Sequence, residues 1–110
     1  MAVSKNDAFQ ADEVRLAAWA KALAHPARIA ILKVLAERNT CICGEIVDAL
    51  PLAQATVSQH LKALKEAGFV LGEIEGPRTC YCLDGDELQR FREAVDGLFE
   101  QMSRAAASCC

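Results

Sequence analysis

Six cysteines carry most of the chemistry open to this 110-residue chain. They fall into three pairs: Cys41 and Cys43 around Ile42, Cys80 and Cys82 around Tyr81, and the adjacent Cys109 and Cys110. Thiolates are strong ligands for soft ions, and thiol pairs are also open to oxidation. Compartment decides which use comes first. The opening residues, MAVSKNDAFQADEV, are polar and lack the apolar run of a secretory signal. No stretch approaches the ~20 apolar residues that cross a bilayer. The expectation is a cytoplasmic protein whose thiols stay reduced, so the cysteines read first as free thiols or metal ligands and not as a disulfide framework.

Other chemistries find little support. No Cys-x-x-Cys follows a strand, and there is no Ser/His/acid set or Gly-rich phosphate loop, so the chain does not read as an enzyme such as a small thiol-dependent reductase. Its charge of −3 counts against nucleic acid, because phosphate contacts need Lys and Arg. A basic patch on one face, doubled by dimerisation, can offset that.

The elements that must position these residues are mostly helical. Leu16, Trp19, Ala20 and Leu23 share one face of a helix over 12–23. His25-Pro26 interrupts it, and Pro26 suits the first turn of a second helix carrying Ile29, Ile31, Leu32 and Leu35. Thr40 is placed to cap a short helix running from Cys41 to Leu50, stopped by Pro51. A fourth helix spans Ala53 to Ala67, with Val57, Leu61 and Leu64 inward and Gly68 past its end. The period then changes. Residues 69–74 and 79–83 read as strands joined by Glu75-Gly76-Pro77-Arg78. A last helix, capped by Asp84 or Asp86, carries Leu88, Phe91, Val95, Leu98 and Met102 in a narrow seam like that of a coiled coil.

The expected organisation is a flexible tail over 1–8, one domain over 9–106, and a cysteine-containing tail over 107–110. The fold class is mainly α with a small β-hairpin. Two helices joined by a tight turn and followed by a hairpin make a winged helix-turn-helix, whose second helix enters the major groove. That helix offers Gln54, Thr56, Ser58, Gln59, His60 and Lys62, with Lys65 further along. Gln pairs with adenine, and Ser and Thr reach bases or phosphates. Arg78 at the hairpin tip is placed to reach a phosphate or the minor groove. The competing reading is a polar face that is simply solvated.

Two stretches sharpen this. Leu23-Ala24-His25-Pro26-Ala27-Arg28-Ile29-Ala30-Ile31-Leu32 and the run from Ala55 to Gly68, with Val57-Ser58-Gln59-His60-Leu61 inside it, closely resemble the ArsR/SmtB family of bacterial metal-responsive repressors. The likeness extends over roughly residues 15–100. It implies a homodimer, formed through the first and last helices, that leaves operator double-stranded DNA when its inducer binds. One departure stands out: the position where such recognition helices carry a capping Ser or Thr is Ala53 here. A lost cap typically costs ~1 kcal/mol and removes a possible phosphate contact.

The resemblance also gives the cysteines roles. Cys41-Ile42-Cys43 matches the Cys-x-Cys that arsenic-, cadmium- and lead-sensing members carry ahead of the recognition helix. It implies As(III) as inducer, with Cd(II) or Pb(II) as the alternative. The arsenic sensors often add a third cysteine where this chain has Ile46. Cys109 and Cys110, from either subunit, or a small-molecule thiol could supply the missing donor. In a helix, residues i and i+2 point about 200° apart, so one ion on Cys41 and Cys43 would have to unwind the first turn of the expected short helix. Cys80 and Cys82 lie on one strand face with Cα atoms ~6.5–7 Å apart, the upper limit for a disulfide. They read as small strand residues, a second soft-ion site, or a redox pair. The family's zinc sensors place His on the last helix, and this one, over 87–104, has none. A thiol redox or persulfide sensor of the same fold stays open.

Overall fold

A computed structural model describes residues 8–38, 42–43, 50–75 and 78–109, with backbone alone for 42–43, 73–75 and 78–79. Among the described residues, four helices accompany a small sheet: α1 (Ala11–Ala22), α2 (Pro26–Arg38), β1 (Ile42–Cys43), α3 (Gln54–Glu66), β2 (Val70–Glu75), β3 (Arg78–Leu83) and α4 (Gly85–Cys109). The sheet is antiparallel in the order β1-β3-β2. This is the winged helix-turn-helix arrangement, with the hairpin following α3.

One expected element begins differently. Ile42 and Cys43 form a strand, not the first turn of a helix, and pair with Tyr81 and Cys80. The physical reason is nonlocal. With β2 on one side, β3 would otherwise leave a row of backbone donors and acceptors without partners, and β1 supplies them. The remainder of the expected short helix, Cys41 and residues 44–49, lies outside the described residues. A second difference is length. α4 continues to Cys109, so 107–109 extend a helix and are not an irregular tail; Ala105, Ala106 and Ala107 are the strongest helix formers there.

The helix ends follow local chemistry. The Asp84 carboxylate accepts from the Asp86 and Glu87 amides at 3.1 and 3.3 Å, so Asp84 is the cap of α4. The α3 start at Ala53 has no side-chain cap. The end of α3 is a full Schellman motif: Gly68 N–H donates to Lys65 C=O and Phe69 N–H to Leu64 C=O, both at 3.0 Å. Gly68 takes φ +88°, and Leu64 and Phe69, the apolar pair that accompanies the motif, are fully buried. The Asp84 amide then donates to Phe69 C=O at 2.9 Å, closing the base of the hairpin.

The core gathers Ile31 and Leu35 of α2, Val57, Leu61 and Leu64 of α3, and Phe69 and Val70. Trp19 joins α1 to it. Phe91 of α4 touches both Trp19 and Phe69, with ring centroids 5.6 and 5.3 Å away. Ile29, one of the apolar residues of α2, is 41% exposed. The α4 seam divides. Leu88 and Phe91 pack on the core, whereas Leu98 and Met102, with neighbouring Phe99, lie open on the surface.

Gly68 gives a direct test. A Cβ there would sit 2.8 Å from Glu87 Cγ, in a backbone region that disfavours L side chains. Gly68→Ala is expected to cost about 1–2 kcal/mol from the left-handed conformation alone. Urea denaturation at fixed protein concentration should show a lower midpoint with an unchanged slope.

Candidate nucleic-acid interface and thiol seam

α3 buries Val57, Leu61 and Leu64 and turns Gln54, Ser58, Gln59 and Lys62 to solvent, with Thr56 and His60 half-buried. Gln54, Ser58 and Lys62, at i, i+4 and i+8, share one outer strip of it, while Thr56 and His60 lie toward the opposite flank. Lys65 adds a second cation, its stem and ammonium lying over Gly72 of β2. Arg78 begins β3 opposite Glu75, at the turn end of the hairpin.

His25 reads from the sequence as a helix-junction residue bonded to backbone, and the structure shows that bond; the Arg28–His60 tie that holds α3 at its angle is not readable there. Arg28 donates through Nη1 to the Ala22 and Lys21 carbonyls at 3.3 and 3.4 Å at the end of α1, where the Lys21 carbonyl also accepts the Ala24 amide at 3.1 Å. Its Nε donates to His60 Nδ1 on α3 at 3.2 Å. His25 Nδ1 accepts the Ala27 amide at 3.0 Å and so caps α2, and its ring lies 4.4 Å from that of His60. The His-Pro-x-Arg run thus has a structural meaning: His caps, Pro enters, and Arg ties three helices together. The tie spans 32 residues, a separation no local pattern could reveal.

This geometry requires neutral His60. Burial first, and then the charges of His25 and Arg28, push its pKa below 6.5. Protonation would also put an N–H where the Arg28 hydrogen bond needs an acceptor.

The cysteines divide into two groups. Cys43 lies opposite Cys80 in the β1–β3 ladder, and Leu71 lies opposite Cys82 on the far side of β3. Cys80 is almost fully buried, Cys82 half-buried, and both are disulfide-bonded. Tyr81 packs on the core, as alternation along the strand requires. Cys41 and Cys110 lie outside the described residues. Among the described residues no three His, Cys, Asp or Glu side chains group around a metal position.

Cys109 is free, exposed and remote. It ends a 25-residue helix, about 36 Å from that helix's start. Cys80 lies five residues before that start, at most about 17 Å away. One ion therefore cannot join Cys109 to the Cys43–Cys80 position of the same chain.

Comparison with known proteins adds independent findings. Residues 25–71 match the model of the bacterial regulatory protein arsR family. The HTH-type transcriptional repressor SmtB of Mycobacterium tuberculosis is 52% identical over 63 residues, a match covering 57% of this chain and 46% of that protein. This chain thus spans about half the length of that relative. An uncharacterized HTH-type transcriptional regulator, MJ1325 of Methanocaldococcus jannaschii, is 40% identical over 79 residues, covering 71% of this chain and 88% of that one. Among solved structures, a possible transcriptional regulator for arsenical resistance superimposes with TM-score 0.66 at 25% identity, over 82% of this chain and 94% of that one. The homodimeric winged helix-turn-helix domain Mb0332 of Mycobacterium bovis superimposes with TM-score 0.65 at 31% identity, over 96% and 95%.

The His60 junction predicts a pH dependence. A folded-state pKa below the unfolded one means that the unfolded chain binds more protons. The stabilisation is complete above about pH 6.5 and is lost as pH falls from there toward the lowered value. Thermal melts between pH 7.5 and 5 should show a loss of stability that is shallower in His60→Gln; an equal slope in both proteins would contradict it.

Proposed function

The chain belongs to the arsR family of bacterial regulatory proteins, and on that premise we propose that it is a repressor that binds operator DNA as a homodimer and releases it when trivalent arsenic binds its cysteine thiolates. Members of this family are transcriptional regulators and not enzymes.

One observation carries the sensing part of this reading: Cys43, of the Cys-x-Cys pair, is paired through its backbone with Cys80 of the hairpin. A change at the sulfur-bearing strand is thereby a change at the wing. The spacing that a helix splits is the spacing that a strand aligns, since i and i+2 share a strand face. Cys41 and Cys43 are the proposed primary donors. Cys109 and Cys110 can join them only from a second copy. The ion favours a conformation in which the two copies of α3 no longer match the operator, and the coupling is a difference in affinity between two states.

For DNA, the proposed contacts are Gln54, Thr56, Ser58, Gln59, His60 and Lys62 in the major groove and Arg78 from the wing. His60 contributes as a neutral group already held by Arg28. The name of the SmtB repressor and the arsenical-resistance description of a similar structure support repression and arsenic respectively. Cadmium or lead would fit the same soft donors. A thiol redox sensor is the second reading, favoured by the disulfide-bonded state of Cys80 and Cys82.

The proposed dimer follows from α4. Leu98, Phe99 and Met102 are 41–59% exposed, and Phe9, just before α1, is 61% exposed. A second copy covering this surface would remove it from water, and one of the similar structures is a homodimer.

Two tests follow. The double variant Leu98→Glu/Met102→Glu should sediment as a monomer and lose operator affinity; a dimer of normal affinity would rule out this interface. In fluorescence anisotropy, arsenite should release operator from the reduced wild type, whereas Cys41→Ser and Cys43→Ser should stay bound. Release of both variants at wild-type arsenite concentrations would place the sensor elsewhere, and release by peroxide or a persulfide donor but not by arsenite would select the redox reading.

A further inference from the structure

Residues 41 and 43 give at most two sulfurs, whereas trivalent arsenic takes three and cadmium or lead takes four. Resting on the soft-ion reading above, we propose that Cys80 of β3 is the missing third donor and Cys82 the fourth, so that the sensor is a seam across two strands and not a single segment.

Three observations converge on this. First, the register sets Cys43 directly opposite Cys80, where antiparallel partners have Cα atoms about 4.5–5.5 Å apart. Second, Cys80 and Cys82 are both disulfide-bonded, which places each sulfur beside another sulfur. Neighbours two apart on one strand sit at the limit for bonding each other, and the cross-strand position is the better match for Cys80. Third, the remaining described cysteine, Cys109, is too far along α4 to serve in the same chain. Burial of Cys80 also keeps competing water from the site.

The chemistry balances without an unnamed reactant. Each disulfide first takes two electrons and two protons from a dithiol reductant, which itself closes to a disulfide, and yields two thiols. Arsenite then exchanges ligands with no change of oxidation state. A thiol proton passes to an arsenic-bound hydroxyl, which leaves as water while an As–S bond replaces the As–O bond. Three thiols release three waters.

Such a site pulls directly on the wing. β3 carries Cys80 and Cys82, pairs with β2 along its whole length, and leads through Asp84 into α4. Drawing its sulfurs and that of Cys43 around one ion shifts the strand that positions Arg78 and the helix proposed to form the dimer.

The test uses the full chain, reduced and kept anaerobic, titrated with arsenite or cadmium while ultraviolet thiolate-to-ion absorption is followed. Losing an outer-shell partner of a metal site typically costs roughly 10–100-fold in affinity, so losing a donor should cost at least that. Cys80→Ser and Cys80→Ala should weaken arsenite binding by at least about ten-fold. Cys82→Ser should leave arsenite binding nearly unchanged and weaken cadmium binding by a similar factor. Cys80 variants that melt cooperatively yet bind arsenite like wild type would overturn the proposal. If Cys43→Ser also binds like wild type, the soft-ion reading itself falls; if Cys43→Ser is weakened and the Cys80 variants are not, only the two-strand site falls. An assay on wild type avoids any folding defect in the variants. Bound arsenite should slow alkylation of Cys43 and Cys80 but not of Cys109, and protection of Cys109 alone would contradict the proposal.

Discussion

Pairing of β1 with the outer edge of β3 is the constraint on which the rest depends. It involves two residue pairs, Ile42 with Tyr81 and Cys43 with Cys80. Those pairs satisfy backbone groups that β3 would otherwise leave open, while Tyr81 stays packed on the core. Among the described residues, they are also where the chain between α2 and α3 joins the hairpin. The same ladder that completes a small sheet therefore brings sulfur-bearing positions 37 residues apart in sequence onto neighbouring strands.

A second tie works on the reading helix. Arg28 holds the end of α1 and His60 of α3 together, while His25 caps α2 beside them. α3 is thus fixed at its middle by a charge-assisted hydrogen bond and at its end by the Gly68 turn, with buried Leu64 and Phe69 locking that turn to the core. Its uncapped start at Ala53 is the least supported point.

Much of this was legible beforehand because the signals were local. The apolar stripe of α3, Gly68 after it, the turn residues between β2 and β3, and Asp84 ahead of α4 each declared an element within a few residues of its final bounds. The cysteine seam was not legible. Ile42, Ile46, Val47 and Leu50 have helical spacing, and a two-residue strand is too short to show any period of its own. Its identity lies in its partner on β3, which sequence spacing does not encode. The Cys80–Cys82 pair looked bland for the same reason: what gives it meaning is the cysteine opposite. The repeated Cys-x-Cys, once in each paired segment, was the available hint. Arg28 escaped notice because an arginine near a helix start has many uses, and only the packed junction selects among them.

The proposed coupling of sensing to DNA release runs through covalent and hydrogen-bonded continuity: thiols on β1 and β3, the wing that β3 forms with β2, and α4, which follows from β3 and carries the open apolar surface proposed to meet a second copy. The central claim concerns where the ion sits. Arsenic can be located directly by anomalous scattering from crystals of the reduced protein grown with arsenite. A single strong peak between β1 and β3, beside Cys43 and Cys80, is the predicted result. A peak at the C-terminal end of α4, or none in a reduced and arsenite-saturated crystal, would contradict it.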